Sequence, residues 1–217
     1  MKGVLVLTLS FLLGFLSNLP LGFSDDGLVR DTNGNTVAES RKYYIKPGNE
    51  NPAPRGGGIR LALTENTDCP VTVFQAYSEA VRGIPVYFHV PYPVIPGRVH
   101  TEAMLLIEFT KKPKCVSAPY TFWSFFEDKT MGKAYLGIGG PDDHPGDKRR
   151  IGRFYIKKHG SGYKLIFCDA GTDNCSYVGR YDDVENGIRL VLTPDQPFQF
   201  VIVDASSNSH GTIKSVV

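Results

Sequence analysis

The chain has 217 residues, 41% of them hydrophobic and 21% charged, with 24 Lys and Arg against 22 Asp and Glu. This suits one ordinary domain and excludes a disordered tail or a multi-span membrane protein. Near-neutral charge also excludes a general pull toward nucleic acid or acidic lipid, which needs a clustered basic face.

Met1-Lys2 precedes an almost unbroken apolar run over residues 4–16, then Ser17-Asn18-Leu19-Pro20-Leu21-Gly22. One basic residue, a short apolar stretch and small residues at Gly22 and Ser24 describe a secretory leader over residues 1–24. The run is shorter than the roughly 20 residues of a spanning helix, and Asn18 and Pro20 interrupt it. The expectation is a single domain at 25–217, monomeric, with no membrane partner, secreted to the extracellular space or cell wall, with the vacuole as the other destination.

Glycine (23) and proline (15) are frequent and aromatics reach 12%, which predicts many reversals around half-buried strands. Residues 28–37 read as two extended arms around Thr32-Asn33-Gly34-Asn35, since Asn-Gly supplies the left-handed positions of a hairpin. Tyr43-Tyr44-Ile45 continues extended to Pro47-Gly48, and residues 49–58 form a loop rich in Pro, Gly and Asn. Strand-length apolar runs follow at 59–63, 71–77, 86–90, 104–109, 123–126, 135–138, 154–156, 164–168, 188–192 and 198–203, each bounded by turn residues. Helical spacing is nowhere sustained for ten residues. A dozen short strands without helices predict an all-β barrel or sandwich. Gly58-Ile59-Arg60-Leu61-Ala62-Leu63-Thr64 is echoed by Gly187-Ile188-Arg189-Leu190-Val191-Leu192-Thr193, which predicts internal pseudo-symmetry. Alternation puts Ile59, Leu61 and Leu63 on one face, and Ile188, Leu190 and Leu192 likewise.

Four cysteines in an oxidising compartment predict two disulfides, for which three pairings exist. Cys168 and Cys175 are near enough to close a short hairpin loop, which leaves Cys69 with Cys115. No CxxC, and no histidine at ligand spacing beside a cysteine, supports a zinc site.

Val29-Arg30-Asp31-Thr32-Asn33-Gly34-Asn35-Thr36-Val37 followed by Tyr43-Tyr44-Ile45 resembles the opening signature of the legume Kunitz (soybean trypsin inhibitor type) family. Further matches are Gly57-Gly58-Ile59-Arg60, Cys69-Pro70-Val71-Thr72-Val73, Trp123-Ser124 before Glu127-Asp128, and Tyr163-Lys164-Leu165-Ile166-Phe167-Cys168 before Cys175. The resemblance implies a β-trefoil of twelve strands in three lobes, with bridges Cys69–Cys115 and Cys168–Cys175. It also implies inhibition of a serine-type endopeptidase by one exposed, substrate-like loop between the first two cysteines, with no cofactor and no catalysis. In this sequence that loop falls at residues 91–99. Pro91 and Tyr92 resemble the residues preceding the primary specificity position, which puts Pro93 there and Val94 after it. Proline has no positive charge for an anionic pocket and no backbone N–H to donate, so trypsin inhibition is expected to be weak. A shifted register presents Arg98 and Val99 instead.

Two other functions compete. The resemblance extends to proteins named α-fucosidases, and a glycosidase needs two facing carboxyl groups. Asp142-Asp143 and Asp182-Asp183 are the candidate pairs, both in loop-like surroundings. A sugar-binding trefoil would use exposed aromatics such as Tyr92, Tyr120 or Tyr177. The sequence has no G-x-S-x-G elbow. Gly137-Ile138-Gly139-Gly140-Pro141 reads as a turn. His89, His100, His144, His159 and His210 are scattered and read as surface or loop residues. Lys148-Arg149-Arg150 reads as a solvated loop offset by Asp142, Asp143 and Asp147. Asn174-Cys175-Ser176 is the one N-glycosylation sequon, with a disulfide cysteine at its centre working against modification.

Overall fold

The computed structural model describes residues 27–48, 56–64, 67–119, 121–183 and 187–206. The expected leader, residues 49–55 of the expected loop, Tyr120, His210 and the side chain of Asp183 lie outside this description. Among the described residues thirteen strands form: β1 (Tyr43–Pro47), β2 (Ile59–Ala62), β3 (Thr72–Gln75), β4 (Val86–His89), β5 (Met104–Phe109), β6 (Ser124–Asp128), β7 (Lys133–Gly137), β8 (Lys148–Arg150), β9 (Gly152–His159), β10 (Gly162–Asp169), β11 (Cys175–Asp183), β12 (Gly187–Thr193) and β13 (Phe200–Asp204). A single 3-10 turn at Pro141–Asp143 is the helical element among the described residues.

Antiparallel pairing closes β1, β4, β5, β9, β10 and β13 into a six-strand ring. Alternate residues of these strands point inward: Tyr43 and Ile45, Val86 and Phe88, Leu105 and Ile107, Phe154 and Ile156, Leu165 and Phe167, Phe200 and Ile202 are all buried. Their period of two is what the sequence displays, and each large aliphatic or Phe side chain contributes about 1.5–3 kcal/mol by leaving water. Three hairpins, β2–β3, β6–β7 and β11–β12, complete the sheet, and β3, β7 and β12 each pair with the other two.

The sequence echo has a structural cause. β2 and β12 flank β3 in matched register, with Ile59 and Ile188 both opposite Gln75 and Arg60 and Arg189 both opposite Phe74. The leading glycines are required by crowding, since a Cβ on Gly58 would lie 1.9 Å from the Arg82 carbonyl oxygen. Leu63 departs from the expected face: β2 stops at Ala62, and Leu63 is 50% exposed.

Two strands were not legible in advance. Lys148-Arg149-Arg150 is not a free loop but the strand β8, paired with the edge of β6. Arg149 donates to Ser124 Oγ at 2.9 Å, and Arg150 pairs with Asp169 and lies 3.9 Å from Glu127, so the expected Asp142, Asp143 and Asp147 are not the partners shown for it. β11 carries Asp182, expected in a loop, because its ladder with β12 runs to its end and sets Asp182 opposite Ile188, while the ladder with β10 supports its first residues, Cys175 to Tyr177. The disulfides are Cys69–Cys115 and Cys168–Cys175, with Cα separations of 5.8 and 4.0 Å. Chain entropy gives the long loop about 4 kcal/mol and the short one roughly 2.5 kcal/mol of stabilisation.

His144, expected at the surface, is 1% exposed. Its ring stacks on Phe126 at 3.5 Å, its Nε2–H donates to the Ile138 carbonyl at 2.7 Å, and Nδ1 lies 2.8 Å from Tyr135 Oη, itself 2.6 Å from Asp147. Burial pushes the imidazole below its ordinary 6.5, outweighing the Ile138 bond and the nearby Asp143 and Asp147. Burial would raise Asp128, Asp143 and Asp204, but hydrogen bonds from Thr130 and Met131, from Gly140 and Ser117, and from Ser206 hold them below the ordinary 3.8. In each case the unfolded chain binds the proton first, so these groups contribute stability that is lost as pH falls. The melting temperature should fall in two steps on acidification, one beginning below pH 6.5 and one below the carboxylate value. In His144→Gln the upper step should vanish and the lower remain, as thermal denaturation between pH 8 and 3 would measure.

Candidate functional site

The expected loop leaves the ring where β4 ends at His89 and returns before β5. Val90 is buried, residues 91–98 are all exposed, and Val99 is 0% exposed. The base is clamped by the segment at 27–39. Val99 donates its N–H to the Val37 carbonyl at 3.0 Å and accepts from the Val29 N–H at 3.0 Å. Thr101 N–H donates to Gly27, and bridges join Leu28 to His100 and Ala38 to Arg98.

Glu39 holds both sides of this base. Its carboxylate accepts the Val90 N–H at 2.6 Å where the loop departs, and its own N–H donates to the Gly97 carbonyl at 3.3 Å where the loop returns. The clamping segment is shaped in turn by Asp31, whose Oδ1 accepts the N–H groups of Asn33 and Asn35, both at 2.9 Å. Gly34 supplies φ +81° in that turn, Val37 donates back to the Val29 carbonyl, and Ala38 N–H bonds the Tyr43 hydroxyl at 2.9 Å.

Within the exposed stretch, Pro91, Pro93 and Pro96 each fix one backbone angle. Ile95-Pro96-Gly97-Arg98 closes a turn, with Arg98 N–H donating to the Ile95 carbonyl at 3.2 Å and Gly97 at φ +71°. Proline followed by a positive-φ glycine is the residue pattern of a type II turn. Tyr92 and Val94 stand out at 80% and 66% exposed, with Ile95 also exposed. A short exposed apolar ridge on a loop held at both ends is the kind of surface that binding sites use.

Five of the six expected loop residues, Pro91, Tyr92, Pro93, Val94 and Arg98, share this exposed stretch. Val99 does not: it belongs to the core side of the base, with both backbone groups committed. Glu39 was missed, since a single glutamate in a turn carries no sequence signal of bridging two ends of a distant loop.

The competing sites do not assemble. Asp143 accepts from Gly140 N–H at 2.8 Å and from Ser117 N–H at 3.1 Å, as a turn-capping residue does. Asp182 lies on β11 and accepts from the Tyr77 hydroxyl. Tyr177 is covered by the Lys164 ammonium at 4.3 Å. His89 lies 2.9 Å from Glu108 and edge-on to Phe122. Among the described residues no three His, Cys, Asp or Glu groups are placed to hold a metal ion.

A family model described as trypsin and protease inhibitor, of the legume Kunitz type, matches residues 29–203. The chain is 44% identical to Kunitz-type trypsin inhibitor-like 1 protein of Pisum sativum across the whole of both chains. It is 43% identical to subtilisin inhibitor CLSI-II of Canavalia lineata, over 88% of this chain and 99% of that one. Among solved structures it is similar to MP-4 from Mucuna pruriens, with 48% identity, TM-score 0.76 and coverage of 82% of this chain and 99% of that one. It is also similar to soybean trypsin inhibitor in complex with porcine pancreatic trypsin, with 28% identity, TM-score 0.68 and coverage of 82% and 99%.

The Glu39 clamp makes a specific prediction. Glu39→Ala should speed hydrogen exchange of the Val90 amide by about tenfold or more, the loss of a charge-assisted bond worth about 1.5–3 kcal/mol, while leaving exchange in the ring strands unchanged.

Proposed function

The chain belongs to the legume Kunitz family of trypsin and protease inhibitors, and from that premise we propose that it blocks a serine endopeptidase cleft with residues 91–98. The observation that carries this reading is a loop clamped at both ends whose exposed middle presents Tyr92 and Val94. Docking then costs little ordering entropy, and inhibition proceeds by occupancy rather than catalysis. The thirteen strands read as a β-trefoil of twelve with β8 added, six in the ring and six in three hairpins. Residues 1–24 act as the secretory leader and 25–217 as the mature, monomeric domain, which needs no cofactor and no nucleic acid.

Pro93 is the primary specificity residue in this account. Burial of Val99, with its N–H and C=O both bonded, supports Pro93–Val94 over Arg98–Val99 as the presented bond. An uncharged residue there suits an enzyme without an anionic pocket, and the relative named for subtilisin inhibition points the same way. The target class is therefore a serine endopeptidase with an apolar primary pocket, for which subtilisin is the assay enzyme.

Titration of the purified domain should give stoichiometric inhibition of subtilisin and no nanomolar inhibition of trypsin. Pro93→Arg should bind trypsin at least about a hundredfold more tightly than the parent, about 2.7 kcal/mol. Nanomolar inhibition of trypsin by the unaltered protein would refute this reading.

A further inference from the structure

Asn174-Cys175-Ser176 is the single Asn-X-Ser/Thr sequence in the chain. It sits where the turn over residues 170–174 enters β11, on the hairpin with β10. Residues 171–175 are all exposed. Asn174 is held by its backbone alone: its carbonyl accepts the Asp169 N–H at 3.0 Å and its N–H donates to Thr172 Oγ1 at 3.2 Å. Its carboxamide makes no hydrogen bond among the described residues, so a substituent on Nδ2 would project into solvent without displacing an existing contact.

The folded hairpin presents this sequon in a form that a transferase cannot use. Cys175 is bonded to Cys168, and Cys175 and Ser176 lie opposite Cys168 and Phe167 in the β10–β11 ladder. An acceptor sequon must bend so that the serine hydroxyl approaches the asparagine amide, and a strand tied to its neighbour by a disulfide and a ladder does not bend. Any modification therefore precedes closure of the hairpin.

We propose that Asn174 is an N-glycosylation site whose occupancy is set by a race between oligosaccharide transfer and formation of the Cys168–Cys175 disulfide. In the transfer, Nδ2 of Asn174 forms a bond to the anomeric carbon of a lipid-linked oligosaccharide diphosphate. The bond from that carbon to the diphosphate oxygen breaks, the lipid diphosphate leaves with its electron pair, and one amide proton passes to a base of the transferase. In the competing reaction the Cys168 and Cys175 thiols exchange in two steps with the disulfide of an oxidoreductase of the same compartment: the pair is oxidised to Cys168–Cys175, and the oxidoreductase disulfide is reduced to a dithiol that takes up the two protons. Because only a short loop separates the cysteines, closure follows soon after Cys175 arrives, and the secreted population divides into glycosylated and unglycosylated chains. Once attached, the glycan stands at the rim of a groove of about 770 Å³ that Thr172, Asp173 and Glu102 all line.

This inference rests on the secretory reading of residues 1–24, and the experiment separates the two. The full chain is expressed in eukaryotic secretory cells with its own leader and, in parallel, with a leader of proven function. Microsomal and secreted chains are analysed by peptide mass mapping at Asn174 before and after amidase release of N-glycans. With the proven leader, the unaltered protein should divide into two populations, Asn174→Gln and Ser176→Ala should be wholly unmodified, and Cys168→Ser should raise occupancy about twofold or more as the competing closure is lost. Occupancy is read on every chain in the microsomes, so a variant that folds poorly still reports. Absence of any glycan on the unaltered protein behind the proven leader overturns the site, and equal occupancy in Cys168→Ser overturns the race. Failure of the native leader alone sinks the secretory reading and leaves the site standing.

Discussion

The candidate site depends on a few backbone hydrogen bonds between chain segments far apart in sequence. Residues 29–39 lie against the returning arm of the loop, and the Val29, Val37 and Val99 backbones pair there with Val99 fully buried. Without that pairing the stretch 91–98 would be an ordinary connection between β4 and β5. With it, the stretch has two fixed ends, and the prolines and the Pro96-Gly97 turn restrict what remains. Glu39 adds a bond at each end, so departure and return are spaced by a single residue. A buried valine in a ladder and one charge-assisted bond suffice because the ring behind them is closed and has no edge to fray.

The same arrangement explains the character of the presented surface. The exposed middle of the loop carries no charge from Pro91 to Gly97, and Tyr92 and Val94 are large apolar groups turned to water. Leaving them uncovered gains nothing for folding, since hydrophobic side chains stabilise the fold only when buried. Relatives named as trypsin and subtilisin inhibitors put protease inhibition within the reach of this family.

Much of the fold was legible because the ring strands obey a simple rule. Phe88, Ile107, Phe154, Leu165 and Ile202 all sit at alternating positions of short apolar runs, and all face inward. The disulfides were legible from spacing and family likeness together. β8 and β11 were not, since Lys148-Arg149-Arg150 and the Tyr-Asp-rich stretch after Cys175 have no apolar alternation and are strands because their neighbours complete the ladders. His144 reads as a surface residue along the sequence for a related reason: its burial comes from Phe126 stacking and the Ile138 carbonyl, neither visible along the chain. At the site, the sequence located the exposed residues 91–98 but overran by one at Val99, where only the ladder with 29–37 reveals the boundary.

Hydrogen-exchange mapping of the domain, free and bound to subtilisin, decides whether residues 91–98 meet the protease. The amides of Tyr92, Val94 and Ile95 should slow markedly in the complex, while those of the hairpin tip at 171–174 and of Leu106 and Ile151 should not change. A complex in which residues 91–98 exchange as in the free protein while another surface becomes protected would contradict this expectation.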